Sequence, residues 1–160
     1  MTNSDKIEYQ QDLDSRFGQA LQVIAHRAGM PWIRGIWPDY TPGLGHHAED
    51  SSDLAHEIGH FVVAAKSRRF KENYGLGHPT GKPYLVSVGF AVDEEERASL
   101  TGISLLIRVG ALALAVDQLT DHSWLDSATP LAENVIRKCS AVRRQDARKL
   151  VALVERFRSR

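Results

Sequence analysis

The chain has 160 residues, 42% of them apolar and 25% charged, and 20 basic residues balance 20 acidic ones. That size suits one domain with its own core, and a formal charge of zero excludes a global field drawing the molecule to nucleic acid or a membrane surface. One cysteine, Cys139, rules out an intrachain disulfide and suits a reducing compartment.

The N-terminal MTNSDKIEYQ has no apolar h-region, so no secretory signal is expected and the location expected is cytoplasmic. Residues about 7–28 read as one helix, with Leu13, Phe17, Ala20, Leu21 and Ile24 at three- and four-residue spacing, ended by Gly29 and Pro31. Residues 30–50 read as irregular, punctuated by Gly and Pro, although Trp32, Ile36, Trp37, Tyr40 and Leu44 suggest a loop that packs over something. His46 and His47 in this loop read as surface histidines.

Ser51-Ser52-Asp53 offers capping oxygens for a helix from about Leu54 to Arg68 with Leu54, Ile58, Phe61, Val62 and Ala65 as its apolar stripe. Arg68 and Arg69 at its end read as complements to the helix dipole, with a substrate carboxylate as the other option. A Gly/Pro-rich loop covers 70–83, and Tyr84–Val92 reads as one strand, rich in β-branched and aromatic residues. From about Asp93 a long core helix runs to Leu119, opened by acids that suit its dipole. Arg108, Gly110 and Asp117 interrupt this apolar stretch, so it is no membrane span. Helices at about 130–143 and 145–156 complete a basic C-terminal segment, 120–160, whose bases read as a solvated outer face rather than a nucleic-acid surface. Cys139 reads as packing.

The informative motif is His56-Glu57-Ile58-Gly59-His60. On a helix, positions i and i+4 lie on one face about 6 Å apart, so two imidazoles can converge on one divalent ion while the offset Glu57 sits beside it as a general base. A catalytic site needs a third protein ligand and an open position. Val63 and Lys66 stand where a metzincin has Gly and His, which excludes that class. Glu94, Glu95 and Glu96 on the next helix are candidates, and their alternative role is a solvated acidic helix start; His78 is a rival ligand. Tyr74, His78 and Tyr84 lie between the two helices, where an oxyanion donor is often found, with loop packing as the plainer role.

The two motifs together resemble the gluzincin class of zinc metallopeptidases, especially its small single-domain members. There the ligand glutamate is commonly followed, three and four positions on, by a small residue and then a small or polar one. Glu95 has Ala98 and Ser99 at those positions, Glu94 has Arg97 and Ala98, and Glu96 has Ser99 and Leu100. The resemblance therefore implies Glu95 as third ligand, although the class more often has Asp or Asn where Ser99 stands. Separately, the run HEIGHFVVAAKSRRFKENYG is similar to a stretch of bacterial elongation factor P hydroxylase, which implies a two-His-one-carboxylate iron site. Either Zn²⁺ or Fe²⁺ suits such donors.

These readings converge on an α+β, mainly α, single zincin-like domain over 1–160, with its metal-site core at 51–119. The expected activity is hydrolysis of a protein or peptide substrate, by Zn²⁺ held on His56, His60 and Glu95, with Glu57 as base and Tyr74 and His78 as further catalytic candidates. The alternatives are iron-dependent side-chain hydroxylation and a non-catalytic binding module with a structural or absent metal. A protein partner that presents the substrate fits so small a chain, and no membrane or nucleic-acid partner is expected.

Overall fold

The computed structural model describes residues 2–35, 40–77 and 85–121. His78, Tyr84, Ile36, Trp37, Cys139 and the two C-terminal helices expected at 130–143 and 145–156 lie outside the described residues, as does the side chain of Glu96.

Where one helix was expected over 7–28 there are two, α1 (Asn3–Gln11) and α2 (Arg16–Arg27). Short polar side chains divide them by competing for backbone groups. Asp12 leaves the helical region at ψ 124, its carboxylate accepts from the Asp14 N–H at 2.8 Å, and Ser15 caps α2 by accepting from the Gly18 N–H at 3.2 Å. A β-carbon at Gly18 would lie 2.3 Å from the Leu13 carbonyl oxygen, so glycine is what permits so tight a junction. The apolar spacing survives the break because Leu13, Phe17, Leu21 and Ala25 are all buried.

The stretch read as irregular contains a small sheet. β1 (Trp32–Arg34) pairs in parallel with β3 (Gly45–Ala48), and β2 (Tyr40–Thr41) pairs antiparallel with β3, giving the order β1-β3-β2. Gly45 (φ 126) lies so close to Pro31 that a β-carbon would meet its carbonyl carbon at 2.4 Å. Strands of two to four residues carry too little alternation to register against the turn signals around them. Trp32 packs on the core as expected, whereas Leu44 is exposed.

α3 (Ser51–Val63) is capped one residue earlier than expected, by Asp50, whose carboxylate accepts from the Asp53 N–H at 2.9 Å. It also ends earlier, and Lys66–Arg68 and Glu72–Gly75 follow as 3₁₀ turns. Leu54, Ile58 and Phe61 form the buried stripe, but Val62 and Ala65 are exposed and Ala64 is buried instead.

Of the strand expected at Tyr84–Val92, residues 88–92 are instead the start of a helix. Ser87 accepts from the Phe90 N–H at 3.2 Å and opens α4 (Val88–Val109). Val88 and Phe90 are exposed, so their β-type residues mark no buried sheet face, and the strong helix formers that follow extend the helix back over them. The acids at 93–96 therefore sit in the second and third turns, not at the positive end. Gly110 (φ 90) stops α4 in a left-handed cap, and α5 (Leu112–Asp121) continues as a separate helix. The single long helix expected at 93–119 is thus two.

The architecture is mainly α with a small three-stranded sheet; buried side chains of α2 to α5 and of β3 join one cluster around Leu21, Leu54, Ile58, Leu106 and Leu114, and half-buried Ile7 of α1 packs against it. No helix among the described residues is long and apolar enough to cross a membrane.

Candidate metal centre

α3 and α4 cross where both are small. A β-carbon on Gly59 would lie 2.2 Å from the Ala98 carbonyl oxygen, and one on Gly102 would lie 2.9 Å from that of Ala55. Backbones that touch in this way bring side chains one turn along into reach of each other. Glu95, one turn before Ala98, thereby faces His56 and His60.

The geometry at this point is tight. His56 Nε2 and His60 Nε2 are 3.0 Å apart, and Glu95 Oε2 lies 3.0 Å from His60 Nε2 and 3.6 Å from His56 Nε2. A tetrahedral ion bonded at about 2.0–2.1 Å sets its ligands ~3.3 Å apart, so these donor atoms fit one. Together they form a cluster that could hold a metal ion.

The electrostatics of the bare cluster favour a cation. Burial pushes the Glu95 carboxyl up, but the two imidazoles beside it outweigh burial and hold it well below the usual carboxylate range. Burial pulls His56 down, yet its bond to Glu95 and the charges of Glu57, Glu95 and Asp53 leave it above the ordinary histidine value. Two ring nitrogens at 3.0 Å need a proton between them, and a metal ion can take that proton's place.

Exposure is one-sided. The side chain of His60 is 2% exposed, against 32% for His56 and 40% for Glu95. A closed structural site would bury all its ligands, whereas this one is sealed behind and open in front.

The far ring nitrogens are held unequally. His56 Nδ1 has Ser99 Oγ at 3.4 Å, a long contact, and His60 Nδ1 is buried with no hydrogen-bond partner among the described residues. Metal-bound histidines usually donate from this atom. Here His60 is oriented by rings: Tyr74 stacks on it at 4.9 Å, and His46 in turn stacks on Tyr74 at 4.6 Å.

Glu57 lies on another face of α3 and is buried. Its Oε2 accepts the Tyr74 hydroxyl proton at 2.9 Å, and that hydroxyl is also 3.1 Å from the Glu57 carbonyl oxygen. Burial pushes the Glu57 carboxyl up, against the pull of His60 and His56. Tyr74, proposed from sequence as a donor to substrate, is 1% exposed and gives its hydroxyl to Glu57. Burial and the neighbouring Glu57 charge push that phenol up, so it stays protonated. Asn73 (φ 43) and Tyr74 (φ 51) are both left-handed, which costs roughly 1–3 kcal/mol per non-glycine residue.

Three readings from sequence are corrected here. His46 is no surface histidine: it is 2% exposed, with Nε2–H donating to the Arg69 carbonyl at 2.8 Å and Nδ1 at 3.9 Å from Glu57 Oε2. Burial lowers it to about 4, so it is neutral. Glu94 belongs neither to the ligand set nor to a solvated acidic helix start. It is 1% exposed and binds both terminal nitrogens of Arg68. Arg68 is correspondingly buried and does not complement the α3 dipole. Arg69 does, reaching the carbonyls of Ala64 and Val62 at 3.3 and 3.4 Å. His46 and Arg68 are the residues the sequence reading missed. No local pattern marks His46: Gly45, His46 and Ala48 are all buried, without alternation.

No family model matches the chain, and searches of curated proteins and of solved structures return no match.

Proposed function

We propose that this chain is a zincin-like, metal-dependent hydrolase that cleaves an amide bond in a protein or peptide. The carrying observation is the meeting of His56 Nε2, His60 Nε2 and Glu95 Oε2 within 3.0–3.6 Å, on a cluster open to solvent on one side only. A divalent ion there, Zn²⁺ in this reading, supplies Lewis acidity toward a carbonyl oxygen and raises the acidity of water.

The chain's own residues do the rest. Glu57 is a carboxylate whose proton affinity burial has raised, which suits a general base that must take a proton and then return it to the leaving amine. The Tyr74 hydroxyl holds Oε2 of Glu57, and among the described residues no bond holds Oε1, which makes Oε1 the atom to move the proton. His46, neutral and stacked behind Tyr74, presents no competing charge. His56 and Glu95 form the exposed rim across which a protein substrate, alone or presented by a partner, would approach.

One observation favours a second reading. Glu57 is buried and already hydrogen-bonded, and an iron-dependent side-chain hydroxylase built on two histidines and a carboxylate needs no base there. Metal analysis of anaerobically purified protein tests both. The hydrolase reading expects one equivalent of zinc, lost in His60→Ala and Glu95→Ala, and peptide hydrolysis that falls about 10²–10⁴-fold in Glu57→Gln. Iron at one equivalent, with oxygen-dependent activity that survives Glu57→Gln, replaces hydrolase by hydroxylase. Wild-type protein that takes up neither metal ends the metalloenzyme reading.

A further inference from the structure

Arg68 is a charge buried where the fold could have used an apolar residue. It stands in the 3₁₀ turn after α3, 9% exposed, and its partner Glu94 is 1% exposed. Nη1 donates to Glu94 Oε1 at 3.1 Å and Nη2 donates to Glu94 Oε2, a two-pronged fork. Nη1 also donates to the Tyr74 carbonyl at 2.8 Å, and the guanidinium lies 5.2 Å over the Phe90 ring. Such a pair is poor value as a stability device, because desolvation offsets most of its attraction and apolar replacements often do as well. What it supplies is geometry: a planar fork accepts a carboxylate in one orientation.

Both of its partners adjoin the metal centre. Glu94 precedes Glu95 on the same rigid helix, so a rotation of α4 that freed Glu94 would swing Glu95 away from the histidines. Tyr74 is the residue whose ring stacks on His60 and whose hydroxyl holds Glu57. Its backbone is left-handed, a conformation its side chain does not favour, and the Arg68 bond to its carbonyl helps to keep it there.

We infer that Arg68 is the positioning residue of the metal centre: through Glu94 it sets the third ligand, and through the Tyr74 carbonyl it sets the support of His60 and Glu57. This inference rests on the metal-centre reading above and extends it.

The test uses the full chain with Co²⁺ as the probe, read by competition titration and visible absorption, and urea unfolding of the metal-free protein. In Arg68→Met/Glu94→Leu the pair is replaced by apolar side chains. The expected result separates two quantities: the urea midpoint stays at or above that of the wild type, while Co²⁺ affinity falls about 10–100-fold and the absorption bands shift. Arg68→Lys keeps the charge without the fork and loses affinity too. If both variants fold and bind Co²⁺ with wild-type affinity and spectrum, Arg68 is merely structural and the inference fails. Should the double variant not fold, Arg68→Lys decides alone: weakened binding with unchanged unfolding supports the inference, and unchanged binding overturns it. Wild type that takes up no Co²⁺, or His60→Ala that binds as well as wild type, removes the metal centre and the inference with it.

Discussion

The candidate chemistry occupies two faces of α3, and the two are built by different means. Toward α4, His56 and His60 meet Glu95 across a helix crossing with no side chains between the backbones at Gly59 and Gly102. Toward β3 and the turn at Tyr74, Glu57 is enclosed by an aromatic stack and a left-handed loop. The first face depends on how closely two regular helices approach. The second depends on loop backbone held by a few directional bonds. Rigid helices place ligands to within fractions of an ångström, and the loop shields a group whose proton affinity matters.

The largest effect is expected from breaking the first face alone. Gly59→Ala puts a methyl group 2.2 Å from the Ala98 carbonyl oxygen, a backbone atom that cannot turn aside. α4 must shift, at a cost of about 3 kcal/mol or more, and Glu95 shifts with it. Urea unfolding should show that loss, and metal titration should show binding gone. Gly102→Ala meets its nearest backbone atom at 2.9 Å, so it should cost about 1 kcal/mol and weaken binding without abolishing it. Equal effects from the two substitutions would mean that the crossing distance does not set the ligand geometry.

The second face is probed by pH. His46 is lowered from 6.5 to about 4 by burial, so the folded protein refuses a proton that the unfolded chain accepts. Its contribution is fully present above pH 6.5 and is lost as pH falls from 6.5 toward 4. The size is on the order of 3 kcal/mol. His46→Phe keeps a ring between Tyr40 and Tyr74 but cannot titrate. In metal-free protein, unfolding free energy should fall more steeply between pH 6.5 and 4 for wild type than for His46→Phe, by that amount. Parallel curves would place the acid sensitivity elsewhere.

The same contrast decides what could be read from the sequence. His56, His60 and Glu57 were legible because helical spacing alone puts the two rings on one face and the glutamate on another. Glu95 followed from the gluzincin resemblance, whose pattern has a small residue three positions on, and Ala98 there lies at the crossing where bulk is forbidden. The loop face was opaque: His46 binds the Arg69 carbonyl 23 residues away, and Arg68 finds Glu94 26 residues on. No local period encodes such contacts. Nor did residue type fix the start of α4, where Val86, Val88 and Phe90 favour a strand in isolation but the cap at Ser87 and the following acids, Arg97 and Ala98 favour helix. Breaks at Asp12–Ser15 and Gly110 were missed because the apolar spacing continues through them.

The smallest effect sharpens the first face instead of breaking it. Ser99 Oγ stands 3.4 Å from His56 Nδ1, at the outer limit of a hydrogen bond. Ser99→Ala therefore removes little, and metal affinity should change about twofold or less. A carboxylate at this position reaches farther and carries the charge that a metal-bound imidazole prefers on its far nitrogen, so Ser99→Asp should tighten binding about tenfold. The gain has a physical reason to be larger than the loss: the serine contact is barely made, and the imidazole N–H is a donor awaiting a better acceptor. If Ser99→Ala instead costs tenfold in a competition titration, the serine bond is already fully formed in the loaded protein, and His56 is held as firmly from behind as His60 is by its stacked rings.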